Sequence, residues 1–253
     1  MTTGRTHLRY ARAYVDGYDM SGYTRSFGPL GCTFDEGIDD SLDKTVKGAM
    51  IGSAAVSMGT LNGLFDNTAT SGIHVVMNSA GGMRNVMLPQ GILAAPANND
   101  PVFAYRFIQL GYTGDPAANP VSAGIQFGNA GHDTVIGYAV PWGVLLHAKA
   151  AETAANTATG LDELAQTTLG GWMMYQVFAG NGTATIKVQD ASTNSDGSFT
   201  DLLSSGSINC SSPTSGIVKL AHGSTVKRYT RFQIALGTAT TVTFALSWHR
   251  SYI

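Results

Sequence analysis

The sequence predicts a mainly β protein built from antiparallel sheets, on three observations. Apolar residues recur at period two along most of the chain, turn pairs such as Asp16-Gly17 and Gly28-Pro29 separate the runs, and only one segment keeps helical spacing for several turns. The period-two pattern is strongest from Thr225 to Trp248. Val242, Phe244, Leu246 and Trp248 share one phase there, with Thr241, Thr243, Ala245, Ser247 and His249 on the other. Phe232, Ile234 and Leu236 form a matching first arm, and Gly237 supplies a turn, so the segment predicts a β-hairpin whose second arm has one wet face. Arg228 alone falls on the wrong phase. Either pairing starts near Thr230 or a bulge intervenes.

Taken in order, Leu8 to Val15 and Tyr18 to Phe27 predict strands around an Asp16-Gly17 hairpin turn, and Leu30 to Phe34 a third strand. The acidic run Asp35, Glu36, Asp39, Asp40 and Asp43 then opens the one helix candidate, residues 40 to 51. Asp40 or Ser41 caps it, and Leu42, Val46 and Met50 share a face. Further strands are predicted at 55 to 65, 72 to 77, 84 to 88, 102 to 112, 121 to 127 and 134 to 146. A proline-rich loop covers 89 to 101. Residues 148 to 170 are rich in Ala, Thr, Asn and Gly, with a helical turn at Leu161 to Leu164. Strands resume at 172 to 179 and 183 to 190.

With 253 residues the chain can form one large β domain or two smaller ones. The change of texture favours two: residues 1–147, a linker or interdomain arm at 148–170, and residues 171–253.

Charged residues make up 13% of the chain, against roughly 25% in ordinary soluble domains, as expected where neighbouring copies cover much of the surface. The net charge of −2 leaves no overall footprint for nucleic acid. No signal peptide or membrane-length apolar run is read, so synthesis in a cytosol is expected. In that compartment Cys32 and Cys210 are expected as free thiols, and the sequons at Asn181 and Asn209 as unmodified.

No two histidines stand at a metal-ligand spacing, and no nucleophile elbow, phosphate loop or dinucleotide fingerprint is present. His132-Asp133 reads as a polar turn, and Asp190, Asp196 and Asp201 miss the EF-hand register. The expectation is therefore no enzyme activity, no catalytic residues, no metal and no cofactor. Tyr10, Tyr14, Tyr18, Tyr23 and Phe27 form a dense aromatic row, which suits strand packing more often than a sugar or partner platform.

Three phrases carry a family likeness: Tyr14-Val-Asp-Gly-Tyr-Asp-Met-Ser-Gly-Tyr-Thr-Arg-Ser-Phe-Gly-Pro-Leu, Gly59-Thr-Leu-Asn-Gly-Leu-Phe-Asp-Asn-Thr-Ala-Thr-Ser-Gly, and Thr225-Val-Lys-Arg-Tyr. In these the chain resembles bacteriophage virion proteins related to the tail tube subunits of long-tailed phages. The resemblance implies a β-sandwich or barrel with one flanking helix, matched in position by 40 to 51, followed by a second β-sandwich. It also implies a homo-oligomer whose sheets join into trimeric or hexameric rings, stacked into a channel that phage DNA passes without sequence-specific binding. Contacts would be with other virion proteins, not membranes, and the location the phage tail. Asp35, Glu36, Asp39, Asp40 and Asp43 are then candidates for a channel lining or subunit contact, set against a simple helix cap. Lys227, Tyr229, Arg231 and Gln233 are candidates for the outward or interface face of the C-terminal hairpin. Two alternatives stay open: a capsid decoration or cement protein, and a carbohydrate- or receptor-binding module in which Trp172, Tyr175 or the tyrosine row forms a stacking platform.

Overall fold

The computed structural model describes residues 8–39, 48–128 and 136–252. In chain order the strands among them are β1 (Tyr14–Val15), β2 (Tyr18–Asp19), β3 (Thr24–Phe27), β4 (Leu30–Asp39), β5 (Gly48–Met58), β6 (Leu61–Leu64), β7 (Met83–Pro89), β8 (Pro101–Asp115), β9 (Ser122–Gly128) and β10 (Trp142–Glu152). They continue with β11 (Asn156–Thr157), β12 (Leu161–Asp162), β13 (Gly171–Gly180), β14 (Thr183–Ala191), β15 (Thr200–Ser204), β16 (Ile208–Asn209), β17 (Thr214–Lys219), β18 (Tyr229–Leu236) and β19 (Val242–Arg250). A single short α-helix, α1 (Ile73–Met77), accompanies them. The described residues are thus mainly β and antiparallel, with almost no helix.

Eleven strands form one sheet in the order β17-β13-β19-β10-β8-β7-β1-β2, with β9, β6 and β3 branching from β8. The long β8 makes the branch. Its first residues pair with β10, its second half pairs with β9, and β7 runs along its other edge, so the sheet curls into a half-barrel. Six more strands form a second sheet around β14 and β18, and β4 with β5 makes a two-stranded ribbon. Strands from both sides of residues 148–170 share the larger sheet.

Two hydrophobic cores flank β10, β13 and β19. One fills the curled sheet with Phe103, Phe107, Val86, Ile125, Met77 and Trp172; the other joins the two sheets through Ile186, Val188, Phe232, Phe244, Leu246 and Trp248. Neighbours in one strand alternate between them: Leu145 faces the first core and Leu146 the second, Trp172 and Met174 the first and Met173 the second. These three strands are a wall common to both cores.

The wall corrects the hairpin expected at 225 to 248. Both arms are strands, but they do not pair: β18 bonds to β14, β11 and β12, while β19 bonds to β10 and β13 in the other sheet. The chain between them crosses the sandwich, bringing Phe232 and Phe244 edge to face at 6.1 Å. The expected wet face of β19 is dry, because Ala245, Ser247 and His249 are covered from the side of the first core. Pairing of β18 does begin beside Arg228, at Tyr229.

The helix expected at 40 to 51 is also corrected where it can be seen. Residues 48 to 51 belong to β5, paired in register with β4 through Gly48↔Asp39 and Ile51↔Glu36; residues 40–47 lie outside the described residues. Gly48 weakens a helix interior by about 1 kcal/mol, which favours strand pairing. Conversely, the strand expected at 72 to 77 is α1. Ile73, Val75 and Met77 fit period two, yet Ile73 and Met77 are fully buried and Val75 is exposed, which is the i, i+4 face of one helical turn. Leu161 to Leu164 holds no helical turn: Leu161 and Asp162 pair with β18. The strand expected at 134 to 146 starts at Trp142, with residues 134 and 135 outside the described set.

Candidate functional site

The acidic run divides. Asp35 and Glu36 are exposed on β4, Asp39 ends that strand, and Asp40 and Asp43 lie outside the described residues. Asp35 stands at an irregularity of the ribbon, since Phe34 pairs with Ala54 but Glu36 with Ile51. The ribbon has two parts. Leu30, Cys32, Val56 and Met58 seat its base against the first core, and beyond them Phe34, Asp35, Glu36, Gly52 and Ser53 are exposed. Among the described residues, β4 and β5 pair only with each other, so their outer backbone edges remain open to another strand.

On β18 and just before it, the four candidates are engaged within the chain. Lys227 Nζ lies 3.3 Å from Asp190 and 3.0 Å from Thr200 Oγ1. Arg231 is buried, donates to Gln189 at 2.9 Å and to Asp196 at 2.7 Å, and lies 4.0 Å over the Phe199 ring. Gln233 Oε1 accepts from Gln189 at 3.3 Å, and half-buried Tyr229 lies under Arg228. Arg228, the residue off phase, reaches sideways to grip Asp162 at 2.7 and 2.6 Å, which draws that carboxyl below its ordinary range. The three aspartates near the 192–198 loop are separately paired, Asp190 with Lys227, Asp196 with Arg231 and Asp201 with Lys187, so they do not converge. Among the described residues no three His, Cys, Asp or Glu side chains group as for a metal, and no helix is long and apolar enough to cross a membrane. His132 and Asp133 lie outside the described residues. Cys32 and Cys210 are free, and burial pushes both thiols up.

Polar side chains that the sequence pattern does not announce tie the wall together. Glu163 accepts from Arg250 at 2.7 Å, from Trp248 Nε1 at 2.8 Å and from Thr230 at 2.6 Å, pinning the 161–170 arm to β18 and β19. His249 stacks on Trp172 at 3.9 Å and contacts Ser247 Oγ at 2.9 Å, and complete burial drives its pKa down to about 3. His147 stacks on Phe244 and meets Glu152 at 2.9 Å; burial lowers it too, partly opposed by Glu152.

The aromatic row also divides. Tyr14 is core and Trp172 is fully buried, which removes them as surface platforms. Tyr18 and Tyr23 stay half-buried and line a recess of about 600 Å3 with Phe178. The two-residue turn Asp16-Gly17, with φ of 50° and 84°, sets Tyr18 opposite Val15 and aims the hairpin at this recess. Gly17 is required there, because a Cβ would meet the Thr214 nitrogen at 2.4 Å.

No protein-family model and no curated protein matches the chain. Among solved structures it is similar to the Dit protein (gp 19.1) of phage SPP1, described as a paradigm of hub adsorption apparatus in phages infecting Gram-positive hosts. The two share 10% identity over 93% of this chain and 98% of that one, with a TM-score of 0.32, an overlap too loose to assign a role.

Proposed function

We propose that the chain is a structural subunit of a phage virion, and specifically a tail tube protein that self-assembles into stacked rings. The observation that carries the reading is the β4–β5 ribbon. An isolated two-stranded ribbon is marginally stable in water, and one with open edges and an exposed Phe34 gains by adding strands from a neighbouring copy. Low charge across the chain supports the same reading, as does the family likeness in its first two phrases. Those phrases meet in the fold: Phe27 pairs with Leu61, and Gly28 and Gly59 pack so closely that a Cβ on Gly28 would lie 2.7 Å from the Gly59 Cα.

In a ring, the ribbon would join sheets between copies, and Asp35 and Glu36 would lie at that seam or on the channel wall. An acidic wall repels the DNA backbone and keeps it from sticking during passage. Other virion proteins would cap the ends of such a tube. The test is assembly: Phe34→Glu is expected to leave the thermal midpoint within a few degrees and to abolish ring formation in sedimentation and electron microscopy. Rings that persist in this variant would remove the ribbon from the assembly mechanism. A wild-type protein that never forms rings and binds only preformed capsids would instead assign it to decoration.

A further inference from the structure

We propose that the recess beside Tyr18 is a binding site for a neutral saccharide. Its walls come from widely separated parts of the chain: the β1–β2 hairpin, the turn before α1, and the strands β10, β13 and β19. The volume of about 600 Å3 falls within the roughly 300–1,000 Å3 of small-molecule sites.

The chemistry narrows the ligand. Tyr18 and Tyr23 supply aromatic rings with polar tips on which the C–H face of a pyranose can stack, and Phe178 adds an apolar wall. Phe178 is fixed from behind, edge-on to Tyr14 at 4.8 Å, and Lys149 lies 4.6 Å over its ring. Among the described residues, neither the Tyr18 nor the Tyr23 hydroxyl has a hydrogen-bond partner, so both can donate to and accept from a ligand. Thr70, Ser71 and Thr243 add hydroxyls around the rim.

Among the described residues that line the recess the one charged pair, Lys149 and Asp19 at 2.7 Å, is internally neutral. A polyanion finds no net positive charge here, and an apolar ligand would strand the carboxylate, ammonium and hydroxyl groups without water. A neutral polyhydroxylated ring satisfies both the aromatic and the polar walls. Binding here uses none of the ribbon, so it stands or falls independently of assembly.

Saturation-transfer difference NMR on the full chain tests this with glucose, galactose, N-acetylglucosamine, rhamnose and their disaccharides, and with ATP as an anionic control. The expected result is transfer to the ring C–H protons of at least one neutral sugar, at a Kd on the order of 1 mM, and none to ATP. Tyr18→Ala should weaken that binding by about tenfold, and Tyr18→Phe, which keeps the ring and its packing, by about threefold or less. Absence of transfer from the folded wild type to any of the sugars overturns the proposal. So does an unchanged affinity in Tyr18→Ala, or a change of oligomeric state in that variant with no sugar bound by the wild type, which would give the recess to a second copy of the chain.

Discussion

Between Trp172 and Ser247 the His249 ring sits where water does not reach, and its protonation follows from that burial. With a folded pKa near 3, it takes up a proton between pH 3 and about 6.5 only in the unfolded chain. Its contribution to stability is therefore fully present above pH 6.5 and is lost as the pH falls. His147, also lowered, acts in the same direction. Urea unfolding should show a loss of about 2 kcal/mol from His249 alone between pH 7.5 and pH 5. His249→Phe, which keeps an aromatic ring against Trp172, should flatten that acid limb; an unchanged pH profile would mean that the ring is accessible to protons in the folded state. At the next residue of β19, Glu163→Gln removes the charge that balances Arg250, with both side chains under a tenth exposed. Unfolding titrations should give a loss of about 3 kcal/mol, because a buried cation is left without its partner.

Strands were most legible where one face met a core and the other did not, and turns at some of the glycines that take positive φ, although Gly137, at φ 69°, falls inside the strand expected at 134 to 146. Asp16-Gly17 is the clearest case: its two positive φ values and the Val15↔Tyr18 register follow from two adjacent letters. Gly17→Ala should cost at least about 2 kcal/mol, since strain at φ +84° adds to contact with the Thr214 and Val177 backbones; a melting curve unchanged within error would contradict that packing. What the pattern could not carry was the partner of each strand. Residues 229–236 and 242–250 alternate like the two arms of a hairpin, but alternation reports which side is apolar and not which edge is bonded, so an arch between two sheets has the same pattern. Nor does it distinguish water from a second core. Ser247 and His249 read as a wet face, yet they face the core of the first half, across almost the whole length of the chain. The candidate site was legible to a similar degree. Asp35 and Glu36 were found as an acidic cluster, but their place on a projecting ribbon depends on β5, whose Ala, Met and Gly residues have no strand signature of their own. Tyr18 and Tyr23 stood out in the sequence, and only the fold separates them from Tyr14 in the core.

At the scale of the whole molecule, the wall of β10, β13 and β19 makes one body of the two cores, while the ribbon is seated on that body only at its base. Such a division suits a subunit that is rigid before assembly and incomplete along one edge. In the proposed assembly, strand addition on that edge, and not a change in the cores, would be the step that builds the tube. The direct measurement is electron microscopy of the purified protein beside the particle that contains it. Stacked rings with a central channel, lost in Phe34→Glu while its melting curve is kept, are the predicted result. A protein that remains monomeric at every concentration and is found only on a capsid surface would contradict it.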